Sequence, residues 1–146
     1  MLKLLLICCI SALAAGCPAI VSYQPNDRLV VDLGVEQARK RLQETLSRSI
    51  NPRVIEVQVT QEFVNYRYQQ PILGPFGAQV GVTMAENRVH FQNVSRVEVF
   101  ENNVVFLRAA NEIILAQLIF ANQDDAKTFA DLILSFRAQA PRGAAR

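Results

Sequence analysis

The hydrophobic pattern changes its period twice along this chain, and these changes limit the folds that it can adopt. From Val35 to Ile50, apolar residues recur at the spacing of one face of an α-helix. After Pro52, apolar and polar residues alternate, as in strands that bury one face. The helical spacing returns between Asn122 and Phe136. The sequence therefore predicts a helix, a series of strands and a second helix.

The first predicted helix begins near Gly34, with Asp32 as its cap and Glu36 in its first turn. Its apolar face consists of Val35, Ala38, Leu42, Leu46 and Ile50. The basic cluster 39–41 lies on the opposite face, where acidic neighbours dilute it, and is interpreted as a solvated surface rather than a contact with anionic headgroups. The helix is expected to end before Pro52, because the residue that precedes a proline avoids the helical region.

Six or seven short antiparallel strands are predicted between the two helices. The segments with strand character are 55–59, 64–68, 88–92, 96–99, 104–107 and 113–120. Turns are predicted at residues 60–62 and at Asn102-Asn103, since asparagine tolerates a positive φ. Residues 113–120 are apolar on both faces apart from Gln117, which indicates a central strand or one that a helix covers.

A broad apolar stripe characterises the second predicted helix. Asn122 is its expected cap, and Asp124 and Asp125 lie in its first turn. The stripe consists of Ala126, Phe129, Ala130, Leu132, Ile133 and Phe136. A stripe of this width requires an apolar surface such as a sheet or a barrel mouth. The tail, residues 138–146, is predicted to be disordered.

The order of elements from about Arg53 to Arg137 resembles a pleckstrin-homology-like split barrel, in which a C-terminal helix plugs one open end. This resemblance rests on element order and pattern, so it transfers no functional residue. It implies a binding module for lipids, peptides or proteins, although a fold does not determine a function. The alternative is an open two-layer α+β sandwich with both helices on one sheet face. Both alternatives place a single α+β domain at residues 32–137.

The N-terminus has the pattern of a secretion signal. Lys3 precedes a short apolar run, and small residues follow up to Cys17. The interval between these two residues is shorter than the roughly 20 apolar residues of a membrane-spanning helix. The ending Ala14-Ala15-Gly16-Cys17 resembles the lipobox of bacterial lipoproteins, although position 14 more often holds leucine in that family. An ordinary signal, cleaved after the Ala12-Leu13-Ala14 motif, is the alternative.

The lipobox resemblance implies that residues 1–16 are a signal peptide and that Cys17 is lipidated with acyl chains such as palmitate. Pro18 follows the cysteine, whereas aspartate is the inner-membrane retention signal of the family. The resemblance therefore implies an outer-membrane anchor that faces the periplasm in a Gram-negative host. Residues 17–31 are expected to form the lipidated cysteine and a flexible tether of roughly 20 Å.

Cysteine content and charge limit the chemistry of the mature chain. All three cysteines lie within residues 8–17, so processing and lipidation would leave no free thiol for a disulfide, a metal site or a nucleophile. The formal net charge is +2 for the whole chain. A near-neutral chain is not expected to bind nucleic acid by electrostatic attraction alone.

One long segment carries no charge. The eighteen residues from Tyr68 to Ala85 contain two prolines and three glycines but no acidic or basic side chain. We expect the first half to be a long loop, and such loops are often functional. The predicted partner-binding residues are Ile72, Leu73, Pro75 and Phe76, because exposed apolar side chains mark contact sites. Alternatively, the segment folds back and closes the barrel, with residues 80–84 as a strand.

No catalytic or metal-binding motif is recognisable. His90 is the only histidine and alternates with Val89 and Phe91, so it is expected to face solvent. A lone histidine without cysteines is a weak basis for a metal site or a catalytic triad. The glycines do not form a phosphate-binding loop. We predict a protein that is not an enzyme and has no metal or cofactor; a hydrolase that uses His90 and scattered carboxylates is the remaining catalytic alternative.

These patterns predict a lipid-anchored envelope protein that acts as a non-catalytic binding or scaffold module for another envelope protein. The first reason is the uncharged segment, and the second is the resemblance to a binding fold. The alternative is a small-ligand or lipid binder that uses the barrel mouth, which requires a cavity.

Overall fold

The computed structural model describes residues 19–21 and 23–140, which form three α-helices and seven β-strands. The helices are α1 (Leu29–Leu33), α2 (Val35–Ser47) and α3 (Gln123–Gln139). The strands are β1 (Ser49–Asn51), β2 (Arg53–Val59), β3 (Phe63–Leu73), β4 (Gln79–His90), β5 (Arg96–Val99), β6 (Val104–Arg108) and β7 (Ile114–Phe120). The signal peptide and Cys17 lie outside the described residues.

All seven strands belong to one antiparallel sheet with the order β4-β3-β2-β1-β7-β6-β5. The sheet is open, because β4 and β5 form its two edges and do not pair with each other. The predicted α+β class is therefore confirmed, with a helix before the strands and a helix after them. The prediction of a central strand at residues 113–120 is also confirmed, since β7 lies between β1 and β6.

The core lies between the sheet and the helices. Helix α2 packs on β2 and on α3, and α3 packs on β5, β6 and β7. Phe136 of α3 stacks on Phe91 with ring centroids 5.0 Å apart, and Phe129 packs against Phe120 at 5.3 Å. The apolar stripe predicted for α3 is fully buried in this core. Burial of one helix face against a sheet is therefore the main source of stability.

The boundaries of the first helix differ from the prediction. Asp32 lies inside α1, and the residue before α2 is Gly34, whose φ of 80° suits glycine. Helix α2 ends at Ser47, so the expected last helical turn is instead β1, and Ile50 is exposed. The reason is tertiary: Ser49 pairs with Phe120 of β7, and this pairing ends the helix.

The other predicted boundaries agree more closely. The Asn122 side chain caps α3 by accepting a hydrogen bond from the Asp125 N–H. Asn103 has a φ of 62° in the β5–β6 turn, as the turn prediction required. Helix α3 continues to Gln139, so the start of the tail predicted at 138–146 is helical, and residues 141–146 lie outside the described residues.

The described part of the predicted tether, residues 17–31, is docked on the domain. The Val21 N–H donates to the Val99 carbonyl at 2.7 Å, and the Ala19 carbonyl accepts from the Glu101 N–H at 3.0 Å. Ile20 forms a β-bridge with Phe100 between these two bonds. Residues 19–21 therefore lie beside the end of β5 and the turn that follows it, which corrects the expectation of a flexible tether.

The rest of this segment is held by α3. The Asn26 N–H donates to the Asp131 carboxylate at 3.0 Å. Burial raises the pKa of Asp131 above 3.8, while the bond from Asn26 and the charge of Lys127 oppose the shift. Burial and the Asp131 charge also raise the pKa of Tyr23, which packs beside the core. The segment is thus part of the folded domain.

Candidate functional site

The uncharged segment forms a β-hairpin that extends past its neighbours in the sheet. Strand β3 pairs with β2 only as far as Gln69, which lies opposite Arg53. Its pairing with β4 continues from there to Leu73. Residues 70–84 are therefore called the distal hairpin. The expectation of a loop in the first half is wrong, because β3 continues through it, whereas the alternative expectation of a strand at residues 80–84 is confirmed.

A tight turn closes the distal hairpin. The Gly74 N–H donates to the Ala78 carbonyl at 2.7 Å, across a short helical turn of residues 75–77. Phe76 has a φ of 64°, an uncommon conformation for a bulky residue, and its side chain is fully exposed. Such strain persists only where the surrounding structure imposes it, and it is frequent in binding sites. The turn thus presents an aromatic ring at the end of the hairpin.

One face of the distal hairpin is apolar. Residues directly opposite each other in antiparallel strands share a face, and Pro71 lies opposite Val82. Alternation along each strand adds the remaining apolar members, although the register shifts where Leu73 pairs with Gln79, so that Val80 lies in a bulge. The apolar hairpin face consists of Pro71, Leu73, Val80, Val82 and Met84. Four of these side chains, at positions 73, 80, 82 and 84, are between 45% and 65% exposed. No other part of the described domain covers them.

Charged residues border this face. Gln69 lies opposite Met84 on the same side, and the next pair toward the body of the sheet is Arg67 and Glu86. Arg67 pairs with Glu56 at 3.2 Å, and Glu86 accepts a hydrogen bond from Asn65 Nδ2 at 2.8 Å. The outer surface therefore changes from the charged pair Arg67 and Glu86 to the apolar pair Pro71 and Val82 across the single uncharged pair Gln69 and Met84. An exposed apolar patch rimmed by polar residues marks an interaction surface.

All four predicted partner-binding residues lie in the distal hairpin and are exposed. Leu73 belongs to the apolar hairpin face, Ile72 lies on the other face beside Gly81, and Pro75 and Phe76 form the turn. Sequence reasoning omitted Val80, Val82 and Met84, which it assigned to the closure of a barrel. The alternation of these three residues with Gly81 and Thr83, and the absence of charge in the segment, could have indicated an exposed apolar strand face.

A groove separates the base of the hairpin from β7. It has a volume of about 460 Å³, and none of the residues that line it is charged. Asn87 is one of the residues that line it, and its Nδ2 donates both to the Tyr66 hydroxyl at 2.9 Å and to the Leu115 carbonyl at 3.0 Å. Burial raises the pKa of Tyr66 to about 12, so the hydroxyl is neutral at physiological pH. The groove therefore offers amide and hydroxyl groups to a neutral ligand.

The basic cluster 39–41 lies beside an open groove of about 470 Å³ between α2 and α3. Arg39 pairs with Glu36 at 2.8 Å, and Arg48 pairs with Asp125 at 3.1 Å. The surface therefore carries both signs of charge, which agrees with a solvated helix face.

His90 does not face solvent as freely as predicted. It is half-buried, and its ring centroid lies 5.5 Å from that of Phe63. Within residues 19–21 and 23–140, no three His, Cys, Asp or Glu side chains are grouped as metal ligands would be. The acidic pair Asp124-Asp125 acts in the first turn of α3, where the Asp125 N–H is bonded to Asn122. No helix in the described part of the chain is both long and apolar enough to span a membrane.

No protein-family model, no curated protein and no solved structure matches the chain. The resemblances to bacterial lipoproteins and to pleckstrin-homology-like barrels therefore stay predictions.

Proposed function

We propose that this protein is a lipid-anchored bacterial envelope protein that acts as a non-catalytic binding or scaffold module for another envelope protein. The anchor is Cys17, on the strength of the lipobox resemblance, and in a Gram-negative host it lies in the outer membrane and faces the periplasm. The binding surface is the distal hairpin. The observation that supports this proposal is the exposure of an apolar, uncharged hairpin with Phe76 at its turn.

The position of the N-terminal segment favours a protein partner over the anchoring bilayer. Ala19 is bonded to Glu101 beside the β5 edge, and only one residue separates it from Cys17. Two residues span at most about 7 Å, so a lipid on Cys17 would hold the β5 edge close to the membrane. The distal hairpin belongs to the opposite edge of the sheet, at β3 and β4. It is therefore available to a protein on the periplasmic side.

The unpaired backbone groups of β4 also favour a protein partner over the bilayer. Strand β4 is an edge strand, so half of its N–H and C=O groups have no partner strand. Unpaired backbone groups are strongly unfavourable in lipid, where no water solvates them. On a protein partner, these groups find hydrogen bonds, and each fully covered apolar side chain contributes about 1.5–3 kcal/mol. The ordering of the interface offsets part of this gain.

Photo-crosslinking in cells tests the proposed function. A photoreactive amino acid replaces Phe76 in the full-length protein with Cys17 intact, and a second variant carries it at Arg41 on the exposed face of α2. We expect a discrete protein adduct from position 76 and none from position 41. Adducts with lipid alone, or the absence of an adduct from a folded protein, would contradict the proposal.

A second candidate function is the binding of a small neutral ligand in the groove beside β7. The specific observation is the Asn87 amide, which bonds to Tyr66 and Leu115 at the base of an uncharged groove. The amide-rich lining suits hydroxyl or carbonyl groups better than an acyl chain. A ligand that co-purifies with the protein and is lost in Asn87→Ala would support this candidate.

A further inference from the structure

The two edge strands of the sheet differ in what covers them. Residues 19–21 cover the end of β5, through the bond from the Val21 N–H to the Val99 carbonyl and the bridge between Ile20 and Phe100. The other edge is β4, the longest strand of the sheet, and no described segment covers it. The protein thus protects the end of one edge with its own N-terminal segment and leaves the other edge free.

The free backbone groups of β4 can be assigned from the register. The Phe91 N–H donates to the Glu62 carbonyl at 2.9 Å, at the start of the β3–β4 ladder. Hydrogen-bonded and non-bonded pairs alternate in an antiparallel ladder, and the register is regular from His90 to Gly81. The N–H and C=O groups of Val82 and Met84 therefore point away from β3, toward the open edge.

Between Gly81 and Ala85, β4 carries no feature that opposes the addition of a strand. Native edge strands are usually protected by charged side chains, prolines or bulges that face outward. Residues 81–85 contain no charge and no proline, and the register shift in β4 lies before them, where Leu73 pairs with Gln79 and not with Val80. The residues with free backbone groups also carry side chains of the apolar hairpin face. The same short segment therefore offers main-chain hydrogen bonds and an apolar surface, the two components of strand addition.

We propose that β4 accepts an extended segment of the partner protein as an eighth strand. This inference deepens the proposed function and depends on it. The accepted segment has apolar residues opposite Val82 and Met84, because side chains at these positions join the apolar hairpin face. It has a basic residue opposite Glu86, whose carboxylate accepts a bond from Asn65 but has no ion pair among the described residues.

The experiment compares two substitutions at one position, in the full-length protein with the crosslinker at position 76. Val82→Pro removes the outward N–H, which no described residue uses, and edge strands tolerate proline at such positions. Val82→Ile retains this N–H and the apolar side chain. We expect the partner adduct to fall about tenfold in Val82→Pro and to stay near the native level in Val82→Ile. Equal adduct yields from the two variants would overturn strand addition.

The charge at position 86 provides a second test that does not depend on proline. Glu86→Lys places a positive charge opposite the basic residue, whereas Glu86→Gln is neutral and of similar shape. We expect the yield from Glu86→Lys to be about two- to fivefold below that from Glu86→Gln. Equal yields from these two variants would exclude a basic residue opposite position 86.

Three further outcomes separate this inference from the proposed function. Slower amide hydrogen exchange at Val82 and Met84 in the reconstituted complex supports strand addition. An adduct with the mass of two copies of this chain would overturn it in favour of self-pairing at β4. The absence of an adduct from native and variant proteins alike would contradict the proposed function itself.

Discussion

The backbone N–H of Val30 donates a hydrogen bond of 2.8 Å to the hydroxyl of Ser135, and both residues are buried. Val30 lies in the first turn of α1, where backbone N–H groups have no partner within the helix. Ser135 lies on α3, in the midst of apolar neighbours. One hydroxyl therefore satisfies a buried donor and fixes the N-terminal segment to the domain.

Replacement of Ser135 by alanine is expected to lower the free energy of unfolding by about 1–3 kcal/mol, because the Val30 N–H would stay buried without an acceptor. Chemical denaturation measures this change. Ser47→Ala is the control: its exposed hydroxyl only bonds to the Gln43 carbonyl one turn earlier, so its effect should stay within about 0.5 kcal/mol. Equal effects of the two substitutions would show that Val30 finds another acceptor.

Asp131 is expected to make stability fall as the pH rises. Its pKa in the folded protein is raised above 3.8, mainly by burial. The folded state therefore binds more protons than the unfolded state between 3.8 and the raised value, and stability decreases with rising pH in that window. The substitution Asp131→Asn would remove the charge and would retain an oxygen acceptor for the Asn26 N–H.

Asp131→Asn should thus be more stable than the native protein at about pH 7, and this advantage should shrink as the pH falls toward about 4. Urea denaturation at several pH values measures the difference. Asp124→Asn serves as the control, because this exposed residue supports the first turn of α3 and its loss should be mildly destabilising at neutral pH. A constant difference between Asp131→Asn and the native protein over this range would contradict the assignment.

Features that depend on neighbouring residues could be predicted from the sequence. The buried face of α2, with Ala38, Leu42 and Leu46, followed from helical spacing alone. The cap at Asn122 and the turn at Asn103 followed from side-chain chemistry within a few residues. Local propensity and the final structure agree at these positions, so no distant contact was needed.

Features that depend on distant residues could not be predicted. Strand β1 exists because Ser49 pairs with Phe120, and the docking of the N-terminal segment depends on bonds such as that between Asn26 and Asp131. Pro71 was a further reason why the outer part of β3 was not predicted to be a strand. Pro71 has no N–H to donate, but β2 ends opposite Gln69, so the missing donor would have faced empty space beyond β2. The predicted partner-binding residues are exposed in one segment, but the sequence indicated a loop there and not a hairpin.

The Asn87 amide should contribute to the attachment of the hairpin to β7. It bonds to Tyr66 and to the Leu115 carbonyl across the gap between β4 and β7. Asn87→Ala is expected to reduce stability by about 1–3 kcal/mol, because it leaves partly buried polar groups without partners. Tyr66→Phe removes only one of the two bonds and should have the smaller effect. Thermal unfolding of the two variants would show the order, and the reverse order would contradict this role.

Phe76 is expected to matter for association and not for folding. Its side chain is fully exposed, so Phe76→Asp removes no core contact, and its melting temperature should stay within a few degrees of the native value. Phe91 provides the contrast, because it is buried and stacks on Phe136, and truncation of a buried phenylalanine costs about 3–5 kcal/mol. Phe91→Ala should therefore be strongly destabilised.

With a crosslinker at Leu73, Phe76→Asp should lose the partner adduct while it remains folded, because a carboxylate buried at an apolar contact would have no counter-charge. A large loss of thermal stability in Phe76→Asp would instead place this ring in the core, and an unchanged adduct would remove the turn from the binding surface.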